Sequence, residues 1–378
     1  MPDRGLHKIR LGIDAKWYFE GPPSGKMVVC NLVNEMVRNN NGRFELYLFV
    51  TSRHIKQARA VFAGGIHLVR MPKVPNMLAN MLVMPLIALR YRLDVLLFQN
   101  FGSRWPARLF KIVYIHDVLF LDYPEYYTRL ERYHFKKMKS LATHADMVIT
   151  ISESERQRLI RNQVANRSSI AVVHHGINQD FKPLGQYSCE QIQSVLQKYR
   201  LPRKYLLYVG RVNVRKNLKN LAKAVSLLRD ANLKLVIAGE RPDNNGLEHY
   251  IQTEYLSDKI LFTGHVPEDD LHLIYANATV FCFPSYAEGF GLPPLEAMQC
   301  GVPVVVSNRT AMPEVCGEAA TYVDPDDARD IARKIDALLH DAELYDKKKA
   351  DGLRHAHGFT WERSANAILT LIENAYAG

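Results

Sequence analysis

Glu288 and Glu296 stand eight residues apart in the run Ser285-Tyr286-Ala287-Glu288-Gly289-Phe290-Gly291-Leu292-Pro293-Pro294-Leu295-Glu296-Ala297-Met298. A Gly-x-Gly turn lies between them, and the strand-like run Thr279-Val280-Phe281-Cys282-Phe283 comes just before. That order places Glu288 and the glycines at the carboxyl end of a strand, where open α/β sheets take ligands. Glycines let a ligand reach backbone N–H groups, and a helix start favours negative charge. Two carboxylates accept hydrogen bonds from hydroxyls. The stretch therefore suits a ligand that is anionic at one end and hydroxyl-rich at the other, such as a nucleotide diphosphate sugar.

A second constellation follows Tyr205-Leu206-Leu207-Tyr208-Val209. In Gly210-Arg211-Val212-Asn213-Val214-Arg215-Lys216-Asn217, two fixed cations five residues apart, Arg211 and Lys216, can grip adjoining phosphates. Arg215 reads as part of a solvated basic turn. A third candidate is Tyr114-Ile115-His116-Asp117, with a histidine at the end of a strand. His174 and His175 read as linker or surface residues. Gly21-Pro22-Pro23-Ser24-Gly25-Lys26 leads into a helix near the N-terminus.

Positioning these groups requires alternating strands and helices. In the first half, strands are expected at 9–13, 44–50, 67–71, 95–98, 112–115, 147–151 and 170–173. Helices are expected at 26–38, 54–63, 77–89 and 153–162. The second half repeats the alternation, with strands at 205–209, 233–238, 260–263, 280–283, 302–306 and 320–323. Such alternation implies βαβ units and parallel sheets.

At 378 residues the chain suits two domains. Its 47% apolar and 23% charged residues are those of a globular protein. The first residues, Met1 to Lys8, lack the apolar core of a signal peptide, and no run is long enough to span a bilayer. Five scattered cysteines show no metal or disulfide spacing and suggest reduced thiols in a cytoplasmic setting. The net charge of +10 is uneven: residues 1–180 carry 26 Lys+Arg against 14 Asp+Glu, and residues 181–378 carry 23 against 25. Arg129, Arg132, Lys136 and Lys139 share one helix face, interleaved with Tyr126, Tyr127, Tyr133, Phe135 and Met138. That pattern fits docking to an anionic membrane surface as well as a solvated helix. No recognised nucleic-acid motif accompanies the charge. No Gly-x-Gly-x-x-Gly follows the first strand, which argues against hydride transfer.

The Gly-Arg-x4-Lys segment, the Glu-x7-Glu pair and the run Leu295-Glu296-Ala297-Met298-Gln299-Cys300-Gly301-Val302-Pro303-Val304-Val305 together resemble the retaining family 4 glycosyltransferases (glycosyl transferases group 1). The resemblance implies a GT-B fold, in which two doubly wound Rossmann-like α/β domains face each other across a cleft. Residues 1–180 would form the acceptor-side domain and 181–359 the nucleotide-sugar donor domain, with a helix at about 360–378 packing back on the first. By the same resemblance Glu288 holds donor-sugar hydroxyls, Glu296 the ribose, and Arg211 and Lys216 the diphosphate. Gly289, Phe290, Gly291 and Leu292 offer backbone amides, and the Val266 loop reads the base. His116 approaches the reacting centre, and Gly25 ends a phosphate-touching loop in which Pro22 and Pro23 replace the usual glycine. The reaction expected is metal-independent transfer of a sugar from a UDP-sugar, or next from GDP-mannose, to a glycan or lipid-linked acceptor. No cofactor or nucleic acid is implied. The alternatives are a sugar-nucleotide epimerase or hydrolase of the same fold, and a non-catalytic subunit of a glycan-assembly complex.

Overall fold

The computed structural model of the chain describes residues 8–62, 64–165, 169–239 and 246–377. Residues Met1 to His7, read above for a leader, lie outside the described residues, as do Ala63 at the end of one expected helix and Gly378. The chain divides into two compact units, Met1–Gly176 with Thr360–Gly378, and Ile177–Phe359.

The first unit is built on seven strands: β1 (Ile9–Asp14), β2 (Phe44–Thr51), β3 (Ile66–Met71), β4 (Val95–Gln99), β5 (Phe110–Ile115), β6 (Met147–Thr150) and β7 (Ile170–Val172). They pair in parallel in the order β3-β2-β1-β4-β5-β6-β7. Helices on both faces make the strands near-continuous apolar runs, and β4 is buried at every position. Because β1 pairs with both β2 and β4, the winding reverses between β1 and β4, and their carboxyl ends form the crevice of this sheet. The last helix, Trp361–Ala377, packs on Pro23–Arg38 of the same unit. Ser364 Oγ donates to the carbonyl of His174 at 2.6 Å.

The expected helix 77–89 is present over residues 76–90, with a π-turn at Ala79–Val83 between Asn76–Leu78 and Met84–Arg90. Pro85 has no N–H to give the carbonyl of Met81, and Ser103 Oγ donates to that carbonyl at 2.8 Å instead. The widened turn aims Asn80 inward. Its Oδ1 accepts from Lys16 Nζ at 2.6 Å, and its Nδ2 donates to Asp14 Oδ2 at 3.1 Å and to the Phe101 carbonyl at 2.8 Å. Lys16 Nζ also meets Asp14 Oδ1 at 2.6 Å, so a buried Asp–Lys–Asn cluster caps β1. Burial lowers the Lys16 pKa, and the Asp14 carboxylate opposes that shift.

One expectation is corrected: His175 is neither linker nor surface. It is buried between Tyr114, stacked at 6.2 Å, and Trp361 at 5.5 Å. Burial and the neighbouring His116 hold its pKa well below the usual histidine value.

The second unit contains β8 (Tyr205–Val209), β9 (Lys234–Ala238), β10 (Ile260–Gly264), β11 (Val280–Phe283), β12 (Val304–Ser307) and β13 (Thr321–Val323). The order β10-β9-β8-β11-β12-β13, parallel throughout, puts its winding reversal between β8 and β11. The core beneath that reversal is aromatic. Tyr208 stacks on Phe283 at 5.8 Å, and Phe281 on Phe283 at 5.9 Å.

The Lys16 cluster yields a stability test. Lys16→Met keeps the volume but leaves Asp14 as a buried carboxylate without its cation. Urea denaturation at pH 7 should show a loss of about 3–5 kcal/mol. A loss below about 1 kcal/mol would show that the cation is dispensable there.

Candidate functional site

Both sequence constellations of the second unit arrive at the β8/β11 reversal. After β8 the chain turns at Gly210, and the hydroxyl of Tyr208 donates to the Arg211 carbonyl at 3.0 Å, tying the loop to the aromatic core. Asn213 caps the short turn Val214–Lys216 by accepting from the Lys216 N–H at 3.1 Å. Asn217 closes the turn in the left-handed region, at φ 59°, where asparagine is among the side chains best tolerated. Its amide donates to the carbonyls of Pro284 and Pro325 at 2.9 and 2.6 Å, and so fastens the loop to the segment that follows β11.

Glu288 is the centre of this arrangement. Lys216 Nζ lies 2.7 Å from its Oε1, and Arg215 Nη1 lies 2.9 Å from its Oε2. Burial alone would raise the carboxyl pKa, but the two cations outweigh it and hold Glu288 at about 2, so it is ionised. Lys216 also sits over the Phe283 ring at 4.6 Å, and Arg215 donates to the Ala287 carbonyl. Arg211 lies exposed on the same loop and makes no ion pair among the described residues. Three cations against one carboxylate leave this edge of the sheet positive.

The assignment of Arg215 to a solvated turn is thus corrected. Its signal in the sequence was the adjacency of two cations just before Asn217. The left-handed Asn217 fixes how the turn ends, and both neighbours reach one carboxylate.

The Glu288 N–H is taken by Thr310 Oγ1 at 2.9 Å. Beyond it, Gly291 adopts φ +117°, a conformation that strains any side chain, and a Cβ there would displace Met312 Cε, 2.1 Å away. The helix Leu292–Gln299 then starts with Pro293 and Pro294, which carry no N–H. The N–H groups of Gly291 and Leu292 make no hydrogen bond among the described residues and remain as donors. Glu296 lies within this helix, half-buried, and accepts from the Tyr275 hydroxyl at 2.7 Å. Burial raises it to about 7 despite that bond. The Val266 side chain is buried in the loop between β10 and the helix Glu268–Asn277, while His265 and Pro267 beside it are exposed.

In the first unit, His116 follows β5. Its N–H donates to Asn100 Oδ1 at 3.1 Å, and its Nε2 lies 3.0 Å from Gln99 Oε1. Burial lowers its pKa to about 4, so the ring is neutral at pH 7. Gln99 Oε1 takes the Nε2 proton, which leaves Nδ1 as the basic nitrogen. Asp117 accepts from the Leu119 N–H at 3.3 Å. Gly25 lies in the first turn of Pro23–Arg38 rather than in a loop, close against the Trp17 ring. Among the described residues no group of three or more His, Cys, Asp or Glu side chains could hold a metal ion. No helix among them is long and apolar enough to cross a membrane.

The ion pairs of Glu288 set a pH dependence. A carboxyl held near 2, against its ordinary 4.5, contributes stability that is fully present above pH 4.5 and is lost as pH falls towards 2. Glu288→Gln removes that contribution. Urea midpoints should show a gap between wild type and variant on the order of 3 kcal/mol at pH 7. The gap should narrow at pH 3, whereas a gap independent of pH would contradict the ion-paired assignment.

Comparison with known proteins identifies the family and the fold. The family model described as "Glycosyl transferases group 1" matches residues 192–375, and "Glycosyltransferase Family 4" matches residues 26–181. The chain is 35% identical over 280 residues to the O-antigen chain mannosyltransferase B of Escherichia coli, covering 72% of this chain and 71% of that protein. It is 34% identical to the serotype-specific mannosyltransferase WbdA of Escherichia coli over 67% of this chain, which spans only 32% of that longer protein. Among solved structures, the sucrose-phosphate synthase of Thermosynechococcus elongatus superposes with a TM-score of 0.76 at 20% identity, over 98% of this chain and 100% of that one. HepE of Anabaena in complex with UDP-glucose gives 0.73 at 16% identity, over 97% and 100%. The chain belongs to the family 4 glycosyltransferases and has their GT-B fold.

Proposed function

We propose that this enzyme transfers mannose, with retention of configuration, from a nucleotide diphosphate sugar to a growing surface polysaccharide or its lipid-linked precursor. The observation that carries the reading is the cationic edge around Glu288. Arg211, Arg215 and Lys216 against Glu288 leave a net charge of +2 where β8 and β11 end. A diphosphate ester brings about two negative charges and matches it, with arginine forks suited to phosphate oxygens. The mannosyltransferase names of the 34–35% identical relatives favour GDP-mannose over the UDP-sugars expected from sequence.

In this reading Glu288 has two roles. It orients Arg215 and Lys216 towards the phosphates, and it accepts hydrogen bonds from sugar hydroxyls. Gly289, Phe290, Gly291 and Leu292 approach the ligand through backbone, with the donors at Gly291 and Leu292 directed to phosphate or sugar oxygens. Glu296 takes the ribose hydroxyls, and the backbone beside Val266 takes the base. Breaking the anomeric bond builds negative charge on the departing diphosphate. Preorganised Arg211, Arg215 and Lys216 stabilise that charge without a metal ion. In the first unit, neutral His116 is assigned to hydroxyls of the reacting sugar, and Gly25 to the approach of phosphate.

A thermal-shift series with GDP-mannose, UDP-glucose and their free diphosphates tests the donor, since a ligand of the folded state raises Tm by mass action. GDP-mannose should raise Tm most, and no shift with any nucleotide would remove the reading. In Lys216→Ala, kcat for mannosyl transfer should fall by on the order of 100-fold. Nucleotide affinity should fall by less than about tenfold, because Arg211 and Arg215 remain. Turnover near wild type would remove Lys216 from the mechanism.

The acceptor side is proposed to meet an anionic membrane through the helix Arg129–Ala142. Its Leu130 and Tyr133 side chains are 77% and 66% exposed, among Arg129, Arg132 and Lys136. Such a face combines apolar insertion with attraction to anionic headgroups. Sedimentation at low salt should show binding to phosphatidylglycerol-containing vesicles. Equal binding to neutral phosphatidylcholine vesicles would contradict the docking.

A further inference from the structure

We propose that the indole of Trp17 is a stacking platform for a sugar ring of the acceptor glycan. The inference rests on the reading of the chain as a polysaccharide glycosyltransferase. Trp17 sits in a short turn, Lys16–Tyr18, directly after β1 at the winding reversal of the first unit's sheet. Its two neighbours are anchored inward. Lys16 is buried against Asp14 and Asn80, while Tyr18 donates to Asn34 Oδ1 at 2.7 Å and meets the Phe62 ring edge-on at 5.0 Å. Trp17 is therefore held rigidly from both sides, yet its own side chain is only half-buried.

Gly21 and the first turn of the helix Pro23–Arg38 lie against the ring. A Cβ at Gly21 would fall 2.9 Å from Trp17 Cδ1, and one at Gly25 would fall 2.8 Å from Cε3. Glycine at those two positions is what lets the backbone close on the indole. The His116 ring lies 5.7 Å away, tilted by 37°. The Trp17 Nε1–H has no hydrogen-bond partner among the described residues and is not sealed from solvent. By contrast, the Trp361 side chain is buried in the same unit.

Trp17 is therefore an immobilised aromatic, partly exposed and left with a spare donor. Those same properties suit a hexopyranose. The axial C–H face of the ring packs on the indole, and a hydroxyl accepts from Nε1–H, with the side-chain entropy cost already met by folding. The adjacent His116 Nδ1 supplies an acceptor for a second hydroxyl. Trp17 was not among the sequence candidates, because a single tryptophan after a strand has no spacing to mark it.

The test uses the full chain with α-linked mannotriose as the probe. In wild type, titration with mannotriose should shift the tryptophan emission, and Trp17→Phe should abolish most of that shift while keeping an aromatic in the Gly21/Gly25 contact. In transfer assays Trp17→Ala should raise the mannotriose KM by about tenfold, and Trp17→Phe by less, while the donor KM moves less than twofold in both. Wild-type emission unmoved by mannotriose, or an unchanged mannotriose KM in Trp17→Ala, would overturn the platform. The two readings fail separately: a chain that no nucleotide stabilises sinks the functional reading, whereas one stabilised by nucleotide but indifferent to Trp17 sinks only the platform.

Discussion

One buried carboxylate organises the second unit. Glu288 has an acidic group where burial opposes charge, and it stays ionised because Arg215 and Lys216 each take one of its oxygens. The two adjacent cations repel each other, and Glu288 offsets that repulsion by pairing with both. The aromatic stack of Tyr208, Phe281 and Phe283 supplies the floor, with Lys216 over Phe283. Asn217 ties the cationic loop to the segment after β11, so the charges are set by backbone and core rather than by flexible side chains alone. Such fixed charge is suited to a reaction in which a leaving diphosphate must be stabilised at once, without reorganisation of the site.

The first unit solves a parallel problem with different chemistry. At its own winding reversal, β1 ends in Asp14 and β4 in Gln99, and both carry side chains turned to structural use. Asp14 neutralises the buried Lys16, with Asn80 completing the shell, and Gln99 fixes the neutral ring of His116. The Asp14 and Lys16 charges offset each other there and His116 is neutral, whereas the second unit's edge carries more cations than carboxylates. Topology alone places both edges, because each sheet reverses its winding once.

How much of this was legible in the sequence depends on the range of the cause. The strands and the parallel alternation follow from local runs, and the expected ranges lie within a few residues of β1 to β13. The meeting of Lys216 with Glu288 was legible because each follows an apolar strand, and strand ends converge at the crevice. Arg215 was read as solvated because a basic turn looks the same in sequence whether its cations face water or a carboxylate that comes later in the chain. His175 was misread because its cover comes from Trp361, 186 positions later in the chain. Within the helix 77–89 the π-turn was not legible, because the proton that Pro85 cannot give is replaced by the hydroxyl of Ser103, in a loop no local pattern connects to it.

The central claim is that the Glu288 edge is charge-matched to a diphosphate rather than merely basic. Calorimetric titration of the enzyme with GDP-mannose and with GMP, at low and at moderate salt, tests this most directly. The account predicts that the diphosphate sugar binds at least about tenfold tighter than the monophosphate, with the difference shrinking as salt screens the charges. Equal affinity for the two, or a difference that salt leaves untouched, would contradict it.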